Sequence, residues 1–259
     1  MMSSTFWNEY AQRYIMNLFT DEFLQKMTEM TEKGLGRTLM IDDSKKYFTG
    51  NVFEYFWAFF MHDQLFALGT RDEEVITLFE QFQKEYPNSQ YSKYIKPYVD
   101  NVVKYHQIIK NPFGEEIKFL ENYENVNTLE DAIKTLKGKA IYVDVWASWC
   151  GPCKAEFAHN AELKKVLDEK DISILYISID DDTRNAQWLN DIKYYNLAGT
   201  HIRVNKLFDS DLRRLFDKNG GLAIPWYILI DKDGNILDLD AGSPSQLVPG
   251  KKIISVNKL

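Results

Sequence analysis

The segment AIYVDVWASWCGPC, residues 140–153, carries an apolar run that ends just before a pair of cysteines. Its Ile, Tyr, Val and Trp residues favour a buried β-strand. We expect this strand to deliver Cys150 to the first turn of a following helix, with Cys153 one turn further along. Unpaired backbone N–H groups and the helix dipole favour a thiolate at that position. The segment therefore predicts a strand, a helix and a reactive thiol where they meet.

The spacing of the two cysteines supplies both a nucleophile and its resolving partner. A Cys150 thiolate is the attacking species in disulfide exchange, and Cys153 is close enough to attack the mixed disulfide and release the substrate. The chain has no other cysteine, so a structural disulfide elsewhere is excluded. The alternative is half of a zinc site, but a closed zinc site takes four ligands. His159 follows Cys153 by six residues and the other histidines show no ligand spacing, so we assign no metal.

The block Trp149-Cys-Gly-Pro-Cys153 resembles the active-site motif of the thioredoxin family, in the branch of TlpA- and ResA-like thiol-disulfide oxidoreductases. The stretch GLAIP, residues 221–225, resembles the cis-proline loop of that family. The stretch WYILIDKDG, residues 226–234, is similar to the strand and tight turn that follow this loop. The resemblance covers residues 111–259 and implies a thioredoxin-like fold there. It also implies an enzyme that reduces or exchanges disulfides in client proteins.

Two acidic residues near the cysteines are candidates for handling the proton. Asp144 lies in the strand between Val143 and Val145, where an ionised carboxylate is costly, so we expect its pKa to rise toward neutrality. In the family, an acid at the matching position assists proton removal from the second cysteine, here Cys153. Glu156 lies one helical turn after Cys153, and TlpA- and ResA-like proteins carry a functional glutamate at this offset. The alternatives for Asp144 are a structural, hydrogen-bonded residue or one that faces solvent at the end of the strand, and the alternative for Glu156 is a solvent-exposed residue.

The resemblance also assigns residues to substrate binding. It implies that a cis peptide bond precedes Pro225 and that the backbone of Ile224 pairs with a substrate strand, so that backbone hydrogen bonds supply affinity. One of Trp146 and Trp149 is expected in the core and the other at the rim, and an exposed Trp149 would serve as an apolar docking platform. The Gly-Pro dipeptide between the cysteines is that of reducing thioredoxins, for which potentials of about −270 mV are typical. This favours a reductant, with an oxidant of exported proteins as the alternative.

Composition argues against several other functions. The formal charge of −7 argues against the clustered Lys and Arg that nucleic-acid phosphates require, so we assign no nucleic-acid partner. Gly34-Leu35-Gly36 does not begin a dinucleotide fingerprint, because no strand precedes it and the third glycine is absent. No nicotinamide or flavin cofactor is implied. The electrons would come from an upstream dithiol protein.

Residues 1–110 are predicted to form a separate, all-α helical bundle domain. The sequence Thr70-Arg71-Asp72-Glu73 resembles a capping box that opens one of its helices. Residues 79–94 faintly resemble a tetratricopeptide-type helix pair, but a single copy does not build a repeat array. Two apolar sets recur at helical spacing: Phe6, Tyr10, Tyr14 and Leu18, and Phe53, Phe56, Trp57, Phe60 and Met61. We interpret the second set as helical core.

Residues 111–259 are predicted to alternate strands and helices, as an α/β domain does. Asn111-Pro-Phe-Gly114 marks the boundary, since proline and glycine together end the helical pattern. Residues 201–208 show no pattern that assigns them to either class. The expected elements are helices at 129–136, 152–169 and 210–216, a helix capped by the last residues of the stretch 180–183 and reaching Leu189, and strands at 140–146 and 172–179.

Location is predicted from the hydrophobic pattern and from the resemblance. The longest apolar run, residues 52–68, is interrupted by charged and polar side chains and falls short of the roughly 20 residues that cross a bilayer. Residues 1–14 lack the basic and then apolar parts of a secretory signal. The protein is therefore either cytoplasmic or exported with a signal that this sequence does not contain. TlpA-like proteins are commonly exported to the periplasm or cell envelope, free or tethered to the membrane, which favours export.

A rival of another class is a binding protein. In that case the helical domain would recruit a partner, and the thioredoxin-like domain would serve as a tether.

Overall fold

A computed structural model of the chain describes residues 21–136, 138–216 and 221–247. The chain divides into two compact units between Gln107 and Ile108. Among the described residues, the first unit has one apolar core and the second has a core on each face of its sheet, as expected of separately packed domains. Within the described ranges, no helix is long and apolar enough to cross a membrane.

Residues 21–109 are helical, as predicted for the N-terminal region. The helices in this range are α1 (Asp21–Glu32), α2 (Gly36–Ser44), α3 (Gly50–His62), α4 (Glu74–Glu85) and α5 (Ser92–Ile109), and a π-helical turn, Asp63–Ala67, continues α3. The aromatic stripe on α3 is buried in the core, except that Phe60 is half-buried. The Trp57 ring lies 5.6 Å from the rings of both Phe53 and Phe82. The apolar set predicted between Phe6 and Leu18 lies outside the described residues.

The capping box predicted at 70–73 is wrong. Helix α4 begins at Glu74 and has no side-chain cap. The Thr70 hydroxyl instead accepts a hydrogen bond from Arg37 Nη2 and donates one to Asp72, both at 3.0 Å. Arg37 also forms ion pairs with Asp72 at 2.6 Å and with Glu74 at 3.3 Å. The Thr70 side chain is bonded within this network, and it does not cap α4.

Over its described residues, the second unit is built on one six-stranded sheet. Its strands are β1 (Ile117–Phe119), β2 (Ala140–Trp146), β3 (Ile172–Ser178), β4 (Gly199–Arg203), β5 (Trp226–Ile230) and β6 (Ile236–Asp238). Its described helices are α6 (Leu129–Lys134), α7 (Gly151–Glu156), α8 (Asn160–Asp168), α9 (Asn185–Tyr194), α10 (Lys206–Phe216) and α11 (Pro244–Leu247). The strand order is β1-β4-β3-β2-β5-β6, and β5 is antiparallel to both neighbours while the other pairs are parallel. This is the predicted thioredoxin-like fold.

Strand β2 separates the two cores of this unit. Ile141, Val143 and Val145 face one core, whereas Tyr142 and Trp146 face the other. A strand buried on both faces is expected to be apolar almost throughout, and this one is. The core that contains Tyr142 and Trp146 also contains both cysteines, so this face of β2 supports the dithiol.

The outer strands are short. Strand β1 pairs with β4 through three residues, and β6 is also three residues long and pairs with β5 across a register shift.

The continuous helix predicted at 152–169 is wrong, because the structure divides it into α7 and α8. A 3₁₀ turn that begins at Phe157 separates them. Residues three apart eclipse in such a turn, so Phe157 and Asn160 lie on the same side. The Phe157 ring packs edge-on at 5.2 Å from the Trp146 ring, and Asn160 Nδ2 donates to Tyr176 Oη at 3.1 Å. The turn thereby directs both side chains toward the sheet.

Further boundaries differ from prediction. The helix expected to reach Leu189 is α9, which continues for five more residues. Asp181 caps a 3₁₀ turn before α9 and not the helix itself, because its carboxylate accepts a hydrogen bond from Thr183 N at 3.0 Å. The unassigned stretch 201–208 contains the end of β4 and the start of α10. The helix predicted at 210–216 is the second part of α10.

Candidate active site

Cys150 and Cys153 lie at the start of α7, where the chain leaves β2. Cys150 is the N-cap residue of α7, and its sulfur accepts a hydrogen bond from Cys153 N at 3.1 Å. The two residues form a disulfide with their Cα atoms 5.3 Å apart, which is the oxidised form of the pair. The N–H group directed at Cys150 Sγ favours negative charge on that sulfur. Cys150 is 4% exposed and Cys153 is 0% exposed, so Cys150 is the more accessible.

We expect Cys150 to be alkylated first when the reduced protein meets a thiol reagent. Its greater exposure and the N–H group directed at its sulfur both favour a thiolate, with a pKa below the reference of about 8.5. The labelling rate of each cysteine over a pH series, read by peptide mass spectrometry, measures this. Cys150→Ala and Cys153→Ala serve as single-thiol controls. Faster labelling of Cys153, or equal rates at every pH, would reverse the assigned roles.

Asp144 is buried in the middle of β2. Neither of its carboxyl oxygens has a hydrogen-bond partner among the residues that the structure describes. The alternative of a structural Asp144 held by hydrogen bonds is therefore wrong. Burial disfavours the charged form, and the Glu156 charge acts in the same direction. Together they raise the pKa of Asp144 to about 8. A carboxyl group with this pKa can accept and return a proton near neutral pH.

Two tyrosines and a histidine form a row across the sheet with Asp144. Tyr176 on β3 and Tyr227 on β5 are its direct cross-strand neighbours, and His201 on β4 is next to Tyr176. Burial, and then the Asp144 charge, raises the pKa of both tyrosines. Burial lowers the pKa of His201 to about 4. Asp144 is therefore the group of this row that titrates near neutral pH. The sequence carried no signal for the row, because register is a property of the folded sheet.

Glu156 is half-buried and not solvent-exposed. Its Oε2 atom accepts a hydrogen bond from Ser245 N at 2.9 Å, and its Oε1 atom accepts one from Ser245 Oγ at 3.0 Å. Ser245 lies on α11, 89 residues further along the chain. No periodicity connects residues that far apart, so sequence reasoning missed this partner.

Asp180 anchors the loop that leads to Cys150. Its buried carboxylate accepts hydrogen bonds from Ser148 N and Ser148 Oγ, both at 2.8 Å. Ser178 Oγ donates to the same carboxylate, also at 2.8 Å. Ser148 is two residues before Cys150, so these bonds fix the backbone entering the dithiol. The sequence showed only an acidic run after a strand, which we interpreted as a helix cap.

The remaining predicted site residues lie at the same end of β2. Trp149 is 52% exposed and Trp146 is fully buried, which assigns Trp146 to the core and Trp149 to the rim. The peptide bond between Ile224 and Pro225 is cis. Strand β5 starts directly after this bond, and its first residue pairs with Val145. The antiparallel register therefore places the loop at the end of β2 that the dithiol follows. Ile224 packs against the core that contains both cysteines.

This sheet, with a dithiol at a helix start and a proline loop at the same end, defines a thioredoxin-like dithiol protein. The model of the Redoxin family matches residues 119–250, slightly more than half of the chain. The chain therefore belongs to the Redoxin family.

Two curated relatives point to the same class. The thiol-disulfide oxidoreductase ResA of Bacillus thuringiensis subsp. konkukian (strain 97-27) is 30% identical over 105 residues, which are 40% of this chain and 56% of the relative. ResA of Bacillus subtilis (strain 168) is 25% identical over 124 residues, 48% of this chain and 64% of the relative. The chain thus spans less than two thirds of each. A solved thiol-disulfide oxidoreductase from Bacteroides fragilis NCTC 9343 is 27% identical with a TM-score of 0.33, covering 41% of this chain and 75% of that one. The family match and the ResA relatives confirm the resemblance to TlpA- and ResA-like proteins.

Proposed function

We propose that this protein is a thiol-disulfide oxidoreductase that reduces or exchanges disulfides in client proteins through Cys150 and Cys153. The observation that carries the proposal is the position of Cys150 at the start of α7, with the Cys153 N–H group directed at its sulfur. Asp144 adds a proton acceptor with a pKa near 8 on the supporting face. Nucleophile, resolving thiol and base are the three groups that dithiol exchange requires.

The first step forms a mixed disulfide. The Cys150 thiolate attacks one sulfur of a client disulfide, the client's S–S bond breaks, and its second sulfur leaves as a thiolate with the bonding electron pair. The N–H group of Cys153 stabilises the Cys150 thiolate before the attack.

The second step releases the client. Cys153 gives its proton to the Asp144 carboxylate and attacks Cys150 Sγ, and the client's first sulfur leaves as a thiolate. The client disulfide has then gained two electrons, and the chain holds the Cys150–Cys153 disulfide. An upstream dithiol must reduce this disulfide before another turnover.

Client binding is proposed to use the rim of the site. Trp149 presents an exposed ring next to Cys150, and large exposed aromatic groups mark docking surfaces. The backbone of Ile224 would pair with an extended client segment, which gives affinity with little sequence preference.

Trapping tests the proposed function. The Cys153→Ala variant can form the mixed disulfide but cannot resolve it, so client proteins should remain attached through Cys150. Non-reducing electrophoresis of extracts from cells that express the variant, followed by mass spectrometry, measures this. The Cys150→Ala/Cys153→Ala double variant is the matched control. Equal amounts of disulfide-linked protein with the single and double variants would contradict the proposed function.

The direction of exchange is proposed to be reduction. The Gly-Pro dipeptide between the cysteines is that of reducing thioredoxins, with potentials of about −270 mV, whereas strong oxidants lie near −120 mV. The equilibrium of the Cys150–Cys153 pair with a glutathione buffer measures the potential. A value close to that of the strong oxidants would favour the alternative, an oxidant of exported proteins.

We propose that residues 1–110 form a helical domain and that this domain selects clients or partners. Every residue given a redox role lies after it. We expect a chain of residues 108–259 to keep its exchange with a small disulfide and to lose selectivity among trapped clients. Starting at Ile108 retains the hydrogen bond from Lys193 Nζ to Ile109 O at 2.9 Å. Rates of both reactions, compared with the full chain, measure this. Equal client turnover by both forms would contradict selection, and loss of small-disulfide exchange would show that the helical region supports the site.

We propose the periplasm or cell envelope as the location, in line with the TlpA-like resemblance, and the cytoplasm as the alternative. Fractionation of cells with an antibody to the protein separates the two.

A further inference from the structure

The segment 241–247 is attached to the strands that support the site. Ala241 N donates a hydrogen bond to Tyr227 O on β5 at 3.0 Å. The Tyr142 hydroxyl on β2 donates to Gly242 O at 2.7 Å. At the other end of the segment, the Leu247 side chain is buried in the core that contains both cysteines. These contacts fix the segment on both sides of Ser245 without using its side chain.

Ser245 binds Glu156 through two donors. Its N–H group lies 2.9 Å from Oε2 and its hydroxyl lies 3.0 Å from Oε1, so one residue contacts both carboxylate oxygens. An ionised carboxylate accepts hydrogen bonds on both of its oxygens, as Glu156 does here. Because the segment that carries Ser245 is anchored independently, the Glu156 side chain is held in one place.

The Glu156 charge raises the pKa of Asp144, and no hydrogen bond to the Asp144 carboxyl group from a described residue opposes this effect. After burial, this charge is the cause that raises the pKa of Asp144, and the Asp144 oxygens accept no hydrogen bond from any described residue. The other ionisable groups that face Asp144 are Tyr142, Tyr176 and Tyr227, and each of them has a raised pKa. They stay neutral at the pH where Asp144 titrates. Glu156 is therefore the charged group that acts on Asp144, and the position of its carboxylate determines how strongly it raises the pKa of Asp144.

We propose that Ser245 is a positioning residue of the site: its N–H and hydroxyl groups hold the Glu156 carboxylate in a fixed position one helical turn after Cys153, from which its charge acts on the buried Asp144. The coupling is a property of the folded, oxidised chain. Its consequence for disulfide exchange rests on the proposed function, because only there does Asp144 take the proton of Cys153.

The test is the titration of the Asp144 side-chain carboxyl, followed by ¹³C NMR in the oxidised full-length chain. Glu156→Gln removes the charge at nearly constant size and should lower the Asp144 midpoint by about one pH unit. Ser245→Ala should lower it in the same direction and by less, because the N–H group of Ser245 still holds one carboxylate oxygen of Glu156 while the other loses its donor. Ser245→Thr keeps both donors and should keep the wild-type midpoint. Ser210→Ala removes a hydroxyl that donates within α10 and should leave the midpoint unchanged.

The double variant Ser245→Ala/Glu156→Gln separates positioning from a general structural effect. If Ser245 acts through the Glu156 charge, the double variant titrates like Glu156→Gln alone. An unchanged Asp144 midpoint in Ser245→Ala would overturn the proposal. The proposal would also be overturned if Ser245→Ala shifted the Asp144 midpoint by the same amount with Glu156 present and in the Glu156→Gln background. Such a shift would not depend on the Glu156 charge.

Exchange kinetics keep this proposal distinguishable from the proposed function. If the proposed function holds, the pH profile of small-disulfide exchange moves to lower pH in Ser245→Ala, together with the Asp144 midpoint. A wild-type protein that exchanges no disulfide, but whose Asp144 midpoint moves as described, would refute the proposed function and support the coupling.

Discussion

Replacing Cys150 by serine is expected to lower the rate of disulfide exchange by at least about a thousand-fold, the scale on which loss of a nucleophile acts. The chain has only one other sulfhydryl group, Cys153, and it is completely buried. A client disulfide therefore has no other accessible thiolate to react with. Reduction of a small aromatic disulfide, followed by absorbance at saturating upstream dithiol, measures the rate.

Cys153→Ser is the matched control for this experiment. It makes the same change of atom one turn away, and the first attack by Cys150 should persist as a single stoichiometric release of the aromatic thiol. Turnover should stop after that release when the variant is reduced beforehand and assayed without the upstream dithiol, because an external dithiol would itself reduce the mixed disulfide. If Cys150→Ser kept the full biological activity of the wild type, the dithiol would be dispensable, and a binding protein with the helical domain as its recruiting part would be the better interpretation.

The second large effect is expected for the pH dependence of stability. The pKa of Asp144 is about 8 in the folded chain against an ordinary value of 3.8. Well below pH 3.8 the group is protonated in both folded and unfolded chains, so it does not affect the free energy of unfolding. As the pH rises toward 8, the unfolded chain ionises and the folded chain does not, so the free energy of unfolding falls. Between pH 5 and pH 8 this loss is about 3–4 kcal/mol.

Asp144→Asn removes this loss because an amide does not titrate. The variant should therefore be less sensitive to pH than the wild type, and at pH 8 it should gain stability relative to it. Urea unfolding of the oxidised proteins at pH 5 and pH 8 measures both, with Ser210→Ala, which removes a hydroxyl from α10, as the control. Resolution of the mixed disulfide at neutral pH should be slower in Asp144→Asn. Identical pH slopes in wild type and variant would show that Asp144 titrates normally.

Local sequence was sufficient where a single element decides the outcome. The apolar run before Cys150 correctly predicted β2, and the two valines beside Asp144 correctly predicted a buried acid with a raised pKa. Local sequence was insufficient where the strand ends. A two-residue period could not tell which of Trp146 and Trp149 faces the core, because Trp149 follows the last residue of β2.

Contacts between distant segments were beyond the reach of sequence reasoning. Ser245 approaches Glu156 only because α11 packs beside α8 and the preceding turn, and Asp180 reaches Ser148 only because β3 lies next to β2. The helix after Pro152 was predicted as continuous because its composition contains no break. The 3₁₀ turn in it follows from what Phe157 packs against on the sheet, which is a tertiary constraint.

The shortness of β1 and β6 limits how folded molecules can associate. The open backbone of an outer strand is the template on which another chain can extend a sheet, and long, flat edges lead to fibrils. Each outer strand of this sheet offers only three residues, and the register of β6 is interrupted. The folded protein is therefore expected to resist edge-to-edge polymerisation at high concentration. Fibril growth would first require unfolding, which exposes the apolar β2 and β3.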